Sequence, residues 1–379
     1  MTFKVKTKGQ IEGEELLVPK LRFKEFNSEY QKYKIGDTLK VKSGKDQKSI
    51  ECINGTYPIL GTGGQIGTTN SFLYDKPSVL IGRKGTINKP QYMTTPFWTV
   101  DTLFYTDIKE EFNTKYIFYA FQNINWKKYD ESTGVPSLSC KTIEEILYYI
   151  PNKDEQDKIS TFITLLDKKI ELQQRKIETL KIYKKGLIQK MYQKNYNNKI
   201  KMEKILIQKS IRNTNDENYN VYSVSNKDGF ILQTEQFKDR IVASEDTKNY
   251  KVVEKDDFAY NPARINVGSI ARTKKDTKGI ISPMYICFKC NEKILPEYLE
   301  YFFESSKFTY EMNKRLEGSV RMCLSYESML NIPIELPNKN EQEEISKMLN
   351  NLSDKIKLEE EKWIKLKKLK KGLLQKMFI

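Results

Sequence analysis

The chain of 379 residues carries 65 Lys and Arg against 50 Asp and Glu, a formal charge of +15, and no histidine. The missing imidazole excludes Ser–His and Cys–His nucleophile pairs, the commonest general base and the commonest metal ligand. A basic surplus with 23 Tyr and 18 Phe suits a polyanion, and with no apolar run long enough to span a bilayer the chain is expected in the cytoplasm, with no membrane partner.

Residues 1–18 are polar and unpatterned and are expected to be a lead-in. A first globular stretch, 19–150, opens on Pro19-Lys20-Leu21-Arg22-Phe23. Tyr33–Val41 has a helix or strand pattern before the basic turn Lys42-Ser43-Gly44-Lys45. The glycine-rich turn at 58–67 lacks the Lys-Ser/Thr ending of a P-loop and the spacing of a dinucleotide fingerprint. Val79-Leu80-Ile81 is a buried-strand signal ending in Gly82-Arg83-Lys84-Gly85, and Phe97–Tyr105 predicts another strand. Asn113-Thr114 caps an amphipathic helix predicted to run to about Lys128. A Ser-rich loop at 132–139 then leads through a short helix or strand to a long helix in 151–198.

The second globular stretch, 199–336, shows strand-like runs at Val221–Val224, Gly229–Leu232, Asp257–Tyr260 and Ile280–Phe288. Pro296 opens a helix predicted to reach about Leu316, and a second long helix fills 337–379. The five cysteines are odd in number and sparse, which argues against a disulfide framework. Cys287 and Cys290 form a CxxC inside a strand-like run with no second pair, so two partly buried thiols are expected and no metal site.

The two long helices are one segment written twice. Residues 151–192 and 337–378 align without a gap, about half the positions being identical, at the offset of 186 that separates Pro151 from Pro337. A self-match of this length marks a duplicated unit. Asn152 with Glu155, and Asn338 with Glu341, have capping-box spacing. Apolar residues then recur every three or four positions: Ile163, Leu166, Ile170, Ile177, Leu180, Leu187 and Met191 in the first copy, and Leu349, Leu352, Ile356, Trp363, Leu366, Leu373 and Met377 in the second. This is a coiled-coil seam, interrupted by polar Gln173/Glu359 and Lys184/Lys370. Two seams in one chain with a domain between them predict an antiparallel pair. The expected fold class is α+β: two α/β recognition domains separated by two long antiparallel coiled-coil helices, in a pseudo-two-fold duplication.

Candidate DNA contacts lie in loops. Arg83 and Lys84, with Asn88 beyond them, follow a strand near the middle of the first domain, and Asn261, Arg264 and Asn266 hold the comparable place in the second. Arginine suits guanine, asparagine suits adenine, and lysine and serine reach phosphate. Lys42, Lys45, Gly63, Gly64 and Ser137 complete the first set, and Ser269, Arg272 and Arg321 the second. No catalytic constellation accompanies them. Asn261-Pro262-Ala263-Arg264 departs from the Asn-Pro-Pro-aromatic motif of adenine methyltransferases at its third and fourth positions, and Asp167-Lys168-Lys169 lies inside a coil.

The chain resembles the specificity subunits of type I restriction–modification systems. The resemblance rests on the Pro-x-Leu-Arg-Phe opening at Pro19–Phe23, the (Leu/Ile)-Pro-x-x-x-Glu-Gln-x-x-Ile start of each coil at Ile150–Ile159 and Leu336–Ile345, and the Lys-Gly-Leu-x-Gln-Lys-Met ending at Lys185–Met191 and Lys371–Met377. It implies two target recognition domains, each reading half of a bipartite, asymmetric site in double-stranded DNA. It implies coils that dock two methyltransferase subunits, joined in the full complex by restriction–translocase subunits. S-adenosylmethionine, ATP and magnesium would belong to those partners, and this chain would bind no cofactor and do no chemistry. Alternatives are the recognition subunit of a type IIB or stand-alone adenine methylation system, a self-contained DNA methyltransferase or nuclease, and a coiled-coil adaptor without a DNA role.

A heptad seam makes the coil a ruler. Seven residues inserted between Leu172 and Gln173, with seven between Leu358 and Glu359, keep the seam in phase and add roughly 10 Å, about three base pairs. Long-read sequencing of modified DNA should find both half-site sequences kept and the spacer lengthened. An active variant with an unchanged spacer would remove the coils from spacing.

Overall fold

The computed structural model describes residues 3–5, 18–196, 198–226, 228–236, 246–274, 278–318 and 322–379. Its helices are α1 (Ile35–Thr38), α2 (Thr114–Asn123), α3 (Cys140–Glu145), α4 (Lys153–Tyr192), α5 (Gln233–Gln236), α6 (Pro296–Phe303), α7 (Ser306–Asn313), α8 (Tyr326–Leu330) and α9 (Lys339–Met377). The chain divides into two units, Met1–Gln174 with Glu361–Ile379, and Arg175–Glu360. Each unit therefore takes half of α4 and half of α9.

In the first unit a four-stranded antiparallel sheet runs in the order Leu39–Lys42, Leu103–Ile108, Ser78–Gly82, Gln91–Met93. A smaller sheet joins the hairpin Tyr57–Gly61/Gly64–Thr69 to Trp98–Thr99, which runs parallel to Tyr57–Gly61. Strand Gln31–Lys34 pairs with Leu147–Ile150 at the domain's exit. The second unit repeats this plan. Its main sheet runs Leu206–Lys209, Ile286–Cys290, Phe258–Tyr260, Ile270–Arg272. Its other sheet pairs Val221–Ser225 antiparallel with Gly229–Leu232 and parallel with Gly279–Ile281, and Lys251–Val253 adds an outer strand. Lys199–Lys201 pairs with Pro333–Glu335 at the exit.

Within each unit the half-helices are antiparallel and part of the domain's own core. In the first, the single hydroxyl hydrogen of Tyr30 lies between Glu155 Oε1 near the start of α4, at 3.3 Å, and Met377 O at the end of α9, at 3.4 Å, while Lys370 pairs with Asp167 one helical stretch further in. Ile159, Ile163 and Leu166 share a core with Leu373, Leu374, Met377, Phe121 and Trp126. In the second, Lys176 pairs with Glu359, and Ile188 and Tyr192 share a core with Ile345 and Leu349. The expected seam residues are all buried or half-buried, whereas Leu165, Leu172, Tyr183, Leu358 and Leu369 are exposed. The two seam lysines face carboxylates: Lys370 meets Asp167 and Lys184 meets Glu304.

The same contacts dock a helix of each domain on its half-coil. Gln156 Oε1 accepts the N–H of Asn113, the N-cap of α2, while its Nε2 donates to Pro151 O. Gln342 Oε1 accepts from Leu295 N, the N-cap of α6, and its Nε2 donates to Pro337 O and Lys293 O. Tyr119 on α2 donates to Asp167 Oδ2 at 2.9 Å, and Tyr301 on α6 donates to Asn350 Oδ1 at 2.7 Å. Burial pushes the Tyr301 phenol up to about 12. Lys370 Nζ lies 5.4 Å from the Tyr119 ring and Lys184 Nζ 4.9 Å from the Tyr301 ring.

Several expectations are corrected. Phe3–Val5, assigned to the lead-in, is a strand against Leu21–Phe23. Phe97–Tyr105 is broken by a turn between Trp98–Thr99 and Leu103–Ile108. Ile280–Phe288 is two strands, with Met284 in the turn between them. The helix predicted to reach Lys128 stops at Asn123, and the one predicted to reach Leu316 breaks at Ser305, whose hydroxyl accepts Phe308 N and caps α7.

The packing of helix on strand differs between the units. In the first, Tyr92 and Phe118 rings lie 5.4 Å apart, with Lys115 Nζ 4.0 Å from the Tyr92 ring. The matching strand and helix positions in the second are Arg272, Glu300 and Glu297. The Arg272 side chain, 6% exposed, pairs with Asp256 at 2.5 Å, Glu297 at 2.7 Å and Glu300 at 3.1 Å. Burial alone would lower its pKa, but the carboxylates raise it. Arg272→Ala leaves these carboxylates without their shared cation and should cost about 3–5 kcal/mol. Chemical denaturation checks this, and a loss under about 1 kcal/mol would show the cluster to be solvent-screened.

Candidate nucleic-acid interface

In each unit a loop leaves a buried central strand and is stapled by backbone bonds on both sides. Strand Ser78–Gly82 is wholly buried. A Cβ on Gly82 would sit 2.3 Å from Thr86 O, so only glycine lets the chain double back there, and Gly85 has φ of +89°. Arg83 N donates to Thr102 O at 2.8 Å, and Arg83 O accepts from Leu138 N at 2.9 Å. Gly85 N donates to Pro136 O at 2.7 Å. The exposed Arg83 side chain lies 6.0 Å from the Phe104 ring, and its Nη1 donates to Asp101 O at 3.3 Å.

A cleft of about 530 Å³ opens beside this loop, and its walls include Arg83, Lys84, Asp101, Thr102, Ser137 and Ser43. Arg83, Lys84 and Ser137 thus come together as expected candidates for one surface. Asp101 and Thr102 were missed, because they sit in the turn that interrupts what reads as one strand.

The second unit holds Asn261–Gly268 in the comparable way. Asn261 N donates to Ser269 O, and Leu324 N donates to Pro262 O at 3.1 Å, as Leu138 does to Arg83. Asn261 Oδ1 accepts from Ala263 N, and Gly268 adopts φ of +89°. Buried Ile265 anchors the turn, and Arg264, Asn266 and Val267 are exposed on it. Met284, 61% exposed, lies beside Asn261, whose Nδ2 reaches its sulfur at 3.9 Å.

Other candidates stand elsewhere. Ser269 is buried and donates to Val224 O at 3.0 Å, which takes it out of contact with a ligand. Arg272 is committed to the carboxylates described above. Lys42 Nζ donates to Asp107 Oδ2 at 2.8 Å, and this bond, with one from Tyr74, lowers the Asp107 pKa. Gly63 and Gly64 form the tip of a hairpin, and Lys45 and Asn88 are exposed on other loops. Arg321 lies outside the described residues. Burial pushes the Cys287 thiol up to about 12 and Cys290 up to about 11, so both stay protonated at neutral pH. Among the described residues no group of three His, Cys, Asp or Glu could hold a metal, and no helix is long and apolar enough to cross a membrane.

The type I restriction modification DNA specificity domain matches this sequence twice, over residues 27–181 and 198–368. The chain belongs to that family. It is similar to the S subunit of a type I restriction–modification system from M. genitalium, at 16% identity and a TM-score of 0.62, over 96% of this chain and 99% of that one. A chain from a structure of complex assembly and conformational transition of the type I R-M system matches at 10% identity and a TM-score of 0.55, over 92% and 97%. The fold is that of a specificity subunit, a non-catalytic member of its system, and each of the two family matches covers one globular domain with part of the long helix that follows it.

The stapled loops make separable predictions. Arg83→Ala should weaken discrimination at one half-site and Arg264→Ala at the other, each by roughly 1–3 kcal/mol. Competition binding with single-base variants of the site checks this. Uniform weakening across all sequences would mean phosphate contact instead.

Proposed function

We propose that this chain reads a bipartite, asymmetric site in double-stranded DNA for a cytoplasmic type I restriction–modification complex, one half-site per unit. The observation that carries the reading is the pair of stapled loops. Leu138 and Leu324 hold equivalent backbone positions in the two units, yet the loops present Arg83-Lys84 in one and Arg264 with Asn266 in the other. Equivalent frames with different side chains suit two different half-sites. The net charge of +15 suits the phosphate backbone that any such reader must approach.

Two methyltransferase subunits would dock on the coils. Support comes from apolar side chains that the seam leaves exposed at matching repeat positions: Leu172 (55%) with Leu358 (52%), and Tyr183 (58%) with Leu369 (52%). A duplicated apolar contact suits two copies of one partner. Those subunits would bind S-adenosylmethionine, and restriction–translocase subunits would bring ATP and magnesium.

Methylome sequencing of the host with and without this gene tests the reading. The expected result is a bipartite motif with a fixed unspecified spacer that disappears with the gene. An unchanged methylome would overturn it. For docking, Leu172→Glu with Leu358→Glu should leave the fold within about 0.5 kcal/mol, because both positions are exposed, while abolishing co-purification with methyltransferase subunits. Unaltered co-purification would move the docking surface elsewhere.

A further inference from the structure

Asp101 presents a carboxylate on a surface otherwise suited to DNA. It is exposed in the turn between strands Trp98–Thr99 and Leu103–Ile108 and lines the same cleft as Arg83 and Lys84. Its backbone is held in place: Asp101 O accepts Arg83 Nη1, and its neighbour Thr102 O accepts Arg83 N. Its carboxylate makes no hydrogen bond or ion pair among the described residues. The other acid of the cleft, Glu131, differs, because its carboxylate accepts hydroxyl hydrogens from Ser139 and Thr142 and belongs to the frame around α3.

A carboxylate in such a place is selective by its chemistry. It repels phosphate and cannot accept from guanine O6 or N7 or from thymine O4, which are acceptors themselves. It can accept from the exocyclic amino group of a base, and in the major groove cytosine N4 is its common partner. Arg83 beside it suits the O6 and N7 of guanine. We infer that Asp101 is a specificity-determining residue, and that with Arg83 it reads guanine and cytosine edges in the half-site of the first unit, Arg83 donating to guanine and Asp101 accepting from cytosine N4. The inference rests on the DNA-reading function proposed above and adds the class of base that one unit selects.

The test uses the complete complex with its methyltransferase subunits, and modified motifs mapped by long-read sequencing for wild type, Arg83→Ala, Asp101→Asn and Asp101→Ser. The half-site whose reading Arg83→Ala relaxes identifies the first unit's half. Asp101→Asn should lower discrimination at one cytosine in that same half by about five-fold or more, with adenine newly accepted there because an asparagine amide suits adenine N6 and N7. Asp101→Ser should relax the same position without the adenine preference. The other half-site should be unchanged in every variant. An unchanged motif in Asp101→Asn, a change in the other half-site, or loss of all methylation in both Asp101 variants despite an assembled complex would overturn the inference. A wild-type complex with no bipartite motif would instead overturn the function on which it rests.

Discussion

A single buried glutamine in each long helix joins domain to coil. Gln156 and Gln342, 2% and 1% exposed, accept the first free N–H of the docked helix and return a hydrogen bond to a carbonyl at their own helix start. Both ends of each amide are used: the oxygen accepts from the docked helix and the nitrogen donates to a carbonyl beside its own helix. Loss of either partner would strand a buried polar group, at a cost of about 1–3 kcal/mol. The tyrosine further along α2 or α6 adds a second fixed point, so the docked helix cannot slide or rotate on the coil.

What lies beyond that frame is free to vary, and the two units have varied it. Tyr92, Phe118 and Lys115 pack as rings under a cation, whereas Arg272, Glu297 and Glu300 pack as charges around a guanidinium. Each solution fills the same gap between helix and sheet with a chemistry that would fail if only one partner were exchanged. The loops above the sheets differ as freely, because their shape is set by backbone bonds to Thr102, Leu138, Ser269 and Leu324, and their side chains are left available. A duplicated scaffold with different interiors and loops suits the proposed reading of two unlike half-sites. The N-terminal segment adds one asymmetry. Arg22 makes two bonds to Glu155, at 2.8 and 2.6 Å, while the matching Glu341 closes a capping box on Asn338.

The scaffold was legible because it is periodic and repeated. The seam follows from apolar spacing, and the Glu-Gln of each coil start is recognisable, although the clamp made by the glutamine, and the different partners of Glu155 and Glu341, needed the contacts themselves. The recognition domains were harder to read. The turn at Val100–Thr102 contains no glycine or proline, so the two strands around it read as one and Asp101 went unnoticed. Ser305 looks like an ordinary helical residue until its hydroxyl is seen capping α7. Arg272 sits in a loop-rich, basic stretch and reads as a DNA contact. Its partners Glu297 and Glu300 are distant in sequence, and nothing local announces them. Chemistry set by long-range partners is what one sequence conceals.

Hydrogen exchange on Gln156→Ala and Gln342→Ala tests the clamp most directly. The account predicts that Gln156→Ala lowers amide protection in α2, Gln342→Ala lowers it in α6, and each leaves the other helix unaffected. Equal loss of protection in both helices from either substitution, or no loss in either, would contradict the claim that each domain is fastened separately by its own copy of one contact.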